Sequence, residues 1–351
     1  MNTSIDAYSL ERLTSSLTEQ GLPAFRARQI IRWVYEHGTL SYGEMTDLPL
    51  NLRKSLAQQM PLAPPRIIDR QISRDSARKY VLAFSDNAEV ETVAIPSRTK
   101  TAEGTPEHLT VCFSTQVGCP MACSFCATGT EGLTRSLLPG EMVQQLLTVQ
   151  RDMNMRVSHA VAMGQGEPFL NYDNLVAALE IINEPLGIGA RHITVSTCGI
   201  LAGIDHFAHL SQQYTLALSL HSAIQEKRNQ LMPRCSTVPL PHLKQALKEY
   251  TRVSGRRPSI EYLMIGGVND GAADLEALSS FCSELFVHIN LLPMNNIEES
   301  PFRPSPQKTM KTWKQVLEQR GWETTIRSSR GSDIDGACGQ LKNKLQGLKT
   351  N

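Results

Sequence analysis

Three cysteines stand close together in Gly118-Cys119-Pro120-Met121-Ala122-Cys123-Ser124-Phe125-Cys126-Ala127-Thr128-Gly129, at the spacing C-x3-C-x2-C. A loop this tight can present three thiolates to one metal cluster. A cubane [4Fe–4S] cluster normally takes four thiolates. Three local ligands leave one iron without a protein ligand nearby, and an open metal position can bind a substrate or cofactor. Single free cysteines are often small buried hydrophobes, but three within eight residues argue against packing alone. A structural zinc site would want a fourth Cys or His at short spacing. The next cysteine along the chain is Cys198 and the next histidine is His159.

The elements that must position this loop follow from periodicity. Strand patterns fall at 109–114, 157–163, 192–196, 215–220, 260–265 and 287–292. Helical patterns lie between them at 141–153, 174–182, 204–210, 242–251 and 273–285. A helix at 307–319 and a strand at 324–327 close the chain. The polar signals sit at the C-terminal ends of the strands. The cysteine loop follows the first, and Gly164-Gln165-Gly166-Glu167-Pro168 follows the second. Ser196-Thr197-Cys198-Gly199 ends the third and Ser219-Leu220-His221 the fourth, while Gly266-Gly267-Val268-Asn269-Asp270 and Asn295 follow the fifth and sixth. In β/α barrels that face carries the active site. Six β/α units imply a parallel sheet, too short to close an eight-stranded barrel. The expected fold is therefore α/β, a partial six-stranded (β/α)6 barrel over 109–300.

Residues 1–62 read as a small helical domain. The stretch 24–36 places Phe25, Ile30, Ile31, Val34 and Tyr35 on one stripe, with Arg26, Arg28 and Arg32 between them. A second helix is expected at 50–60. Residues 63–108 form a β-hairpin extension: strands 67–72 and 80–84 around Ser73-Arg74-Asp75-Ser76, then strand 90–95 and a polar loop 97–108. The segment 301–351 carries the last helix, the last strand and a glycine-flanked Cys338.

Composition is that of a globular protein: 351 residues, 41% hydrophobic, 20% charged, net charge +1. No apolar run is long enough for a membrane span, and the N-terminus does not read as a signal peptide. Eight cysteines without secretion fit a reducing cytoplasm. RNA binding would have to rest on local patches. One is the segment 308–351, with nine basic and four acidic residues; the other is Arg66, Arg70, Arg74, Arg78 and Lys79. Either is equally an ordinary solvated face.

The cysteine loop resembles that of the radical S-adenosylmethionine (SAM) superfamily. Val90-Glu91-Thr92, Cys112, Gln116-Val117-Gly118-Cys119, Met163-Gly164-Gln165-Gly166-Glu167-Pro168, Ser219-Leu220-His221 and Asp333-Ile334-Asp335-Gly336-Ala337-Cys338-Gly339-Gln340-Leu341 look like the RlmN/Cfr family of radical-SAM RNA adenosine methyltransferases. The resemblance runs from about residue 20 to about residue 345 and implies one [4Fe–4S] cluster on Cys119, Cys123 and Cys126, with SAM on the fourth iron. Gly166, Glu167, Ser196, Ser219, Leu220, His221 and Asn295 would line the SAM pocket. A carboxylate such as Glu167 can pair with the SAM ammonium group. Phe125 would pack on the cofactor or simply be buried. The resemblance also makes Cys338 the S-methylcysteine intermediate, Cys112 the thiol that closes a transient disulfide with it, and Glu91 the proton acceptor.

Such an enzyme consumes two SAM per turnover. Adenine C2 and C8 are electrophilic, so the methyl group passes first to Cys338 and reaches the ring as a radical. The implied partners are 23S rRNA, with the tRNA anticodon loop as a second target, and an electron donor such as a flavodoxin or ferredoxin; a monomer is expected. Gly166-Glu167-Pro168 and Phe25-Arg26-Ala27-Arg28-Gln29-Ile30 look like the C2 branch. The alternatives are a C8 methyltransferase of the Cfr type and a divergent radical-SAM enzyme with another substrate. Gln165 where Met is usual, the long 97–108 loop and Asn296-Ile297-Glu298-Glu299 in place of a Pro/Gly-rich turn depart from the family pattern. In the family the helical domain helps to dock RNA; here it could equally cap one end of the barrel.

Overall fold

The computed structural model describes residues 4–130, 132–235, 237–295 and 300–342. The 296–299 departure, Lys344 and Lys349 lie outside the described residues. Three helices open the chain: α1 (Leu10–Glu19), α2 (Phe25–Ile31) and α3 (Leu50–Gln59). Ser9 caps α1 by accepting from the Arg12 N–H. Their apolar stripes bury Leu13, Leu17, Ala27, Ile30, Leu52 and Leu56, as helical spacing requires. The expected 24–36 helix continues beyond α2 as a π-helical turn, Arg32–Glu36. Phe25 is off the stripe: it is exposed, under the Arg26 guanidinium.

Among the described residues twelve strands follow: β1 (Arg66–Ile72), β2 (Arg78–Ala83), β3 (Glu89–Pro96), β4 (Leu109–Cys112), β5 (Gln116–Gly118), β6 (Leu133–Ser136), β7 (His159–Ala162), β8 (Ile193–Thr197), β9 (Thr215–Ser219), β10 (Ser259–Met264), β11 (His288–Pro293) and β12 (Thr324–Ile326). The later helices are α4 (Pro139–Met153), α5 (Tyr172–Asn183), α6 (Leu201–Ala208), α7 (Gln225–Leu231), α8 (Leu240–Ser254), α9 (Ala272–Cys282) and α10 (Gln307–Gln319). Ten strands form one sheet in the order β1-β2-β3-β4-β7-β8-β9-β10-β11-β12. The six expected strands, β4 and β7 to β11, run parallel, and β12 adds a seventh. The sheet has two ends, so the barrel is open. β3 pairs antiparallel with β4, placing Val93 opposite Cys112 and welding the hairpin extension to the barrel edge.

The strands β5 and β6 and the helix α7 escape the sequence pattern. The short strand β6 pairs with β5 and closes the cysteine loop at its base. There Gly118 takes φ +76°, and a Cβ on it would stand 2.0 Å from the Gly132 carbonyl oxygen. The helix α7 holds Arg228, which is fully buried.

Three of the five basic residues of the β1–β2 patch have acidic partners. Arg70 and Arg78 both pair with Asp152, and Lys79 is buried against Glu91 at 3.2 Å. In the C-terminal segment Lys314, Arg320 and Arg330 also have acidic partners. Among the described residues no helix is long and apolar enough to cross a membrane.

One buried amide fixes where the cysteine loop leaves the sheet. Gln145, on α4, accepts from the Ser114 N–H (2.8 Å) and the Thr92 hydroxyl (2.7 Å) and donates to the Ser114 carbonyl (2.9 Å). It thereby ties α4 to the end of β4 and to β3. Gln145→Leu leaves these groups unsatisfied in the interior and should lower stability by about 2 to 4 kcal/mol. Urea unfolding measures this; a loss near zero would mean that water replaces the amide.

Candidate active site

The polar strand ends meet in a cavity of about 200 Å³. Cys119, Cys123 and Cys126 line it together with Gly166, Glu167, Ser196, Ser219, His221 and Cys338. A second cavity of about 420 Å³ contains Cys112, Asn295 and, again, Cys338. Met163, Leu292, Arg327 and Cys338 border both. Of the expected site residues, Glu91 and Leu220 border neither. Leu220 is fully buried in the main core. Glu91 is buried on β3 in its ion pair with Lys79.

Close backbone approach builds the first cavity. At Gly164 a Cβ would lie 2.8 Å from the Phe113 backbone, and at Gly166, with φ +107°, 2.7 Å from Gln116 Cβ. These glycines therefore let the turn after β7 press onto the turn after β4, not onto a ligand alone. The Glu167 carboxylate is likewise structural: it accepts from the Cys198 N–H (2.8 Å) and the Phe169 N–H (3.1 Å). Burial pushes its pKa up against the pull of these bonds. The Ser196 and Ser219 hydroxyls are 3.1 Å apart. Phe125 meets the His221 ring edge to face at 4.8 Å.

Arg228 carries no local sequence signal, and Cys198 stands out only as part of the polar end of the third strand, yet both build the site. The Arg228 guanidinium donates to the Ser219, Leu220 and Cys198 carbonyls, joining the ends of β8 and β9. Burial lowers its pKa. Cys198 lines the first cavity, and Cys235 packs behind it with Met121 and Phe125. Cys282 belongs to the main core.

Cys338 is exposed, but into the cavities. Its loop is pinned on both sides. Ala127 N–H donates to the Gly339 carbonyl (2.8 Å), the Thr128 hydroxyl to the Leu341 carbonyl (2.7 Å) and Asn295 Nδ2 to the Cys338 carbonyl (3.1 Å). Upstream, Arg330 pairs with Asp75 at 2.8 Å, and Asp333 accepts from the Arg74 N–H at 3.1 Å. Burial, and then the nearby Cys338, push the Cys112 thiol up. Both cysteines are free.

The radical SAM superfamily model matches residues 113–280, and the model for the ribosomal RNA large subunit methyltransferase N-terminal domain matches 5–62. A Microcystis aeruginosa protein described as a probable dual-specificity RNA methyltransferase RlmN is 41% identical, over 97% of this chain and 98% of its own length. The chain belongs to the RlmN family. A Rippkaea orientalis protein of the same description is also 41% identical, over 95% of this chain and 96% of its own. The crystal structure of a radical SAM methyltransferase from Sphaerobacter thermophilus superimposes with TM-score 0.90 at 38% identity, covering 97% of this chain and 99% of that one. RlmN proteins form an RNA-modifying methyltransferase family of the radical-SAM type, and the superfamily uses a [4Fe–4S] cluster and SAM.

The first cavity fits that pair of cofactors. Its wall offers the three thiols of the cysteine loop and no fourth thiol from that loop, while Cys198 and Cys338 come from other segments. Among the described residues no three His, Cys, Asp or Glu side chains converge on one metal ion. A polynuclear cluster does not need them to, because each thiolate binds a different iron. Burial pushes the Cys119 thiol up to about 12, so ionising it there requires a cation beside it.

Burial and the Arg228 charge push the His221 imidazole down to about 3. Its Nδ1 accepts from the Leu263 N–H at 3.1 Å, which requires the neutral ring. The unfolded chain protonates this histidine below about pH 6.5 and the folded one does not. Its stabilising contribution is therefore full above about pH 6.5 and is lost as the pH falls toward 3. His221→Asn keeps an acceptor at the δ position, and asparagine tolerates the φ of +55°. Unfolding of the metal-free variant, followed from neutral to acid pH, should give a shallower loss than wild type. Equal slopes would remove His221 as the titrating group.

Proposed function

We propose that this chain methylates C2 of an RNA adenosine, in 23S rRNA and in the tRNA anticodon loop, through S-methylation of Cys338. The observation that carries this reading is the position of Cys338. One thiol borders both the three-cysteine cavity and the cavity that holds Cys112. A group loaded onto this sulfur on one side is presented on the other without leaving the protein.

In this reading the Cys338 thiol loses its proton and takes a methyl group on sulfur. The cluster and SAM, when bound, supply the methyl group and the one-electron chemistry that activates it; the electron comes from a donor of the flavodoxin or ferredoxin kind. Cys338 then holds the activated carbon against the adenine ring, and the new carbon–carbon bond joins RNA to protein. The ring C2 proton passes to Glu91, and the unpaired electron left on the ring goes back to the redox couple that the cluster would supply, which restores the aromatic ring. The β3 register supports that role: Glu91 and Val93 share a face, and Val93 is opposite Cys112. Cys112 attacks the Cys338 sulfur, breaking its bond to the new carbon, which takes up a proton to become the methyl group. The products are methyladenosine and a Cys112–Cys338 disulfide, and a thiol reductant supplies the two electrons that reopen it. Burial keeps Cys112 protonated until it is needed.

Nucleoside mass spectrometry of 23S rRNA and tRNA from a deletion strain and its complements tests the reading. 2-Methyladenosine should vanish on deletion and return with wild type, but not with Cys338→Ala. Cys112→Ala should leave RNA covalently bound to the protein, seen as a band that nuclease shortens. A change in 8-methyladenosine instead would move the chemistry to C8; no change in either base would end the assignment.

A further inference from the structure

The second cavity carries charge that the thiol chemistry does not require. Arg98, Arg327 and Arg330 line it, and no Asp or Glu does. Arg330 is neutralised by Asp75. Arg98 has no ion pair among the described residues; it donates to the Ser328 hydroxyl at 3.1 Å. The Arg327 guanidinium makes neither a hydrogen bond nor an ion pair among the described residues, although it lies close enough to Cys338 to act on that thiol's charge. Its root is nevertheless fixed, because the Arg327 N–H continues the sheet by donating to the Leu291 carbonyl at 2.9 Å.

Apolar side chains line the same cavity, among them Ile95, Val161, Met163, Leu292, Ile326 and Leu341. A cavity of about 420 Å³ falls in the range of small-ligand pockets. It suits one nucleotide and not a helical stem. Enzymes that act on a carbon of a base take that base out of its stack. A planar base needs apolar faces, and its phosphodiester needs a fork of donors with no competing carboxylate.

We propose that Arg327 and Arg98 position the substrate strand at the second cavity, Arg327 on the phosphodiester of the target nucleotide and Arg98 on the adjoining phosphate. The inference rests on the RNA methyltransferase reading above and assigns two residues that reading does not use. The base lies against the apolar side chains, and the thiols of Cys112 and Cys338 reach its edge. Arg327 positions the strand and does no chemistry. Arg327 also borders the first cavity, so the rival anion is the carboxylate of SAM, and the experiment separates the two.

The protein with its cluster reconstituted is titrated with an RNA stem-loop carrying the target adenosine, at several salt concentrations from about 50 to 200 mM. SAM affinity is measured by equilibrium dialysis on the same preparations. Arg327→Gln should weaken RNA binding by about ten- to a hundredfold. It should also lower the slope of log Kd against log salt by about 0.7, the value for one lost phosphate contact on a single strand. Arg327→Lys should restore most of the slope, because it keeps the charge, but not all of the affinity. Arg98→Gln should lower the slope similarly with a smaller loss of affinity. Circular dichroism checks folding; were Arg327→Gln unfolded, Arg327→Lys and Arg98→Gln carry the test.

Unchanged RNA affinity and slope in these variants, with wild type active on RNA, would overturn the proposal and leave the function standing. Lost SAM affinity with intact RNA binding would assign Arg327 to the SAM carboxylate. A wild-type protein that neither binds nor methylates the RNA would sink the function reading, and the nucleotide site with it.

Discussion

Cys338 has to border two cavities at once, and the hydrogen bonds between its loop and the turn after Cys126 hold it there. Ala127 and Thr128 supply the donors, and the Gly339 and Leu341 carbonyls accept. Their partners stand more than 200 residues apart in the chain, so neither loop is defined without the other. The opposite end of the segment is strapped to the β1–β2 turn through Asp75 and Asp333. This explains why an antiparallel extension sits on the edge of a parallel barrel. It is the anchor for the C-terminal strap, and through β3 it also brings Glu91 and Val93 alongside Cys112.

Buried polar groups brace the cavity walls. Apolar contacts are non-directional, whereas hydrogen bonds fix orientation as well as distance. Asn269 accepts from the Ile265 N–H and donates to the His221 and Leu263 carbonyls. Gln145, Glu167 and Arg228 act in the same way at the ends of neighbouring strands. Such networks are costly when half satisfied and specify one arrangement when complete. They account for why residues with no catalytic chemistry, such as Arg228, are among the most deeply buried.

Charge behaves less locally than sequence counting suggests. The basic run on β1 and β2 reads as a nucleic-acid face, but Asp152, at the end of α4, pairs with two of its arginines. Among the described residues the unpaired arginines near the thiols are Arg98, which lies in neither basic patch, and Arg327, one of the nine basic residues of the 308–351 segment. A partner brought in by the fold decides whether a charge is free, and the chain around it does not report that partner.

The sequence by itself determined the cysteine loop, the six parallel strands and the residues at their C-terminal ends. These are local properties. Period and turn chemistry mark the strands and helices, and right-handed crossovers then oblige every post-strand loop to share one face. Hence Gly166, Glu167, Ser196, Ser219 and His221 were legible before any coordinates. Only the tertiary structure decided that Leu220 turns into the core, that Glu91 pairs with Lys79, that Asn295 holds the Cys338 backbone and that β6 closes the cysteine loop. It also decided that the cysteines of the site line two adjoining cavities and that one thiol borders both. Each of these depends on contacts between segments far apart in the chain, and the period of a single segment contains nothing about them.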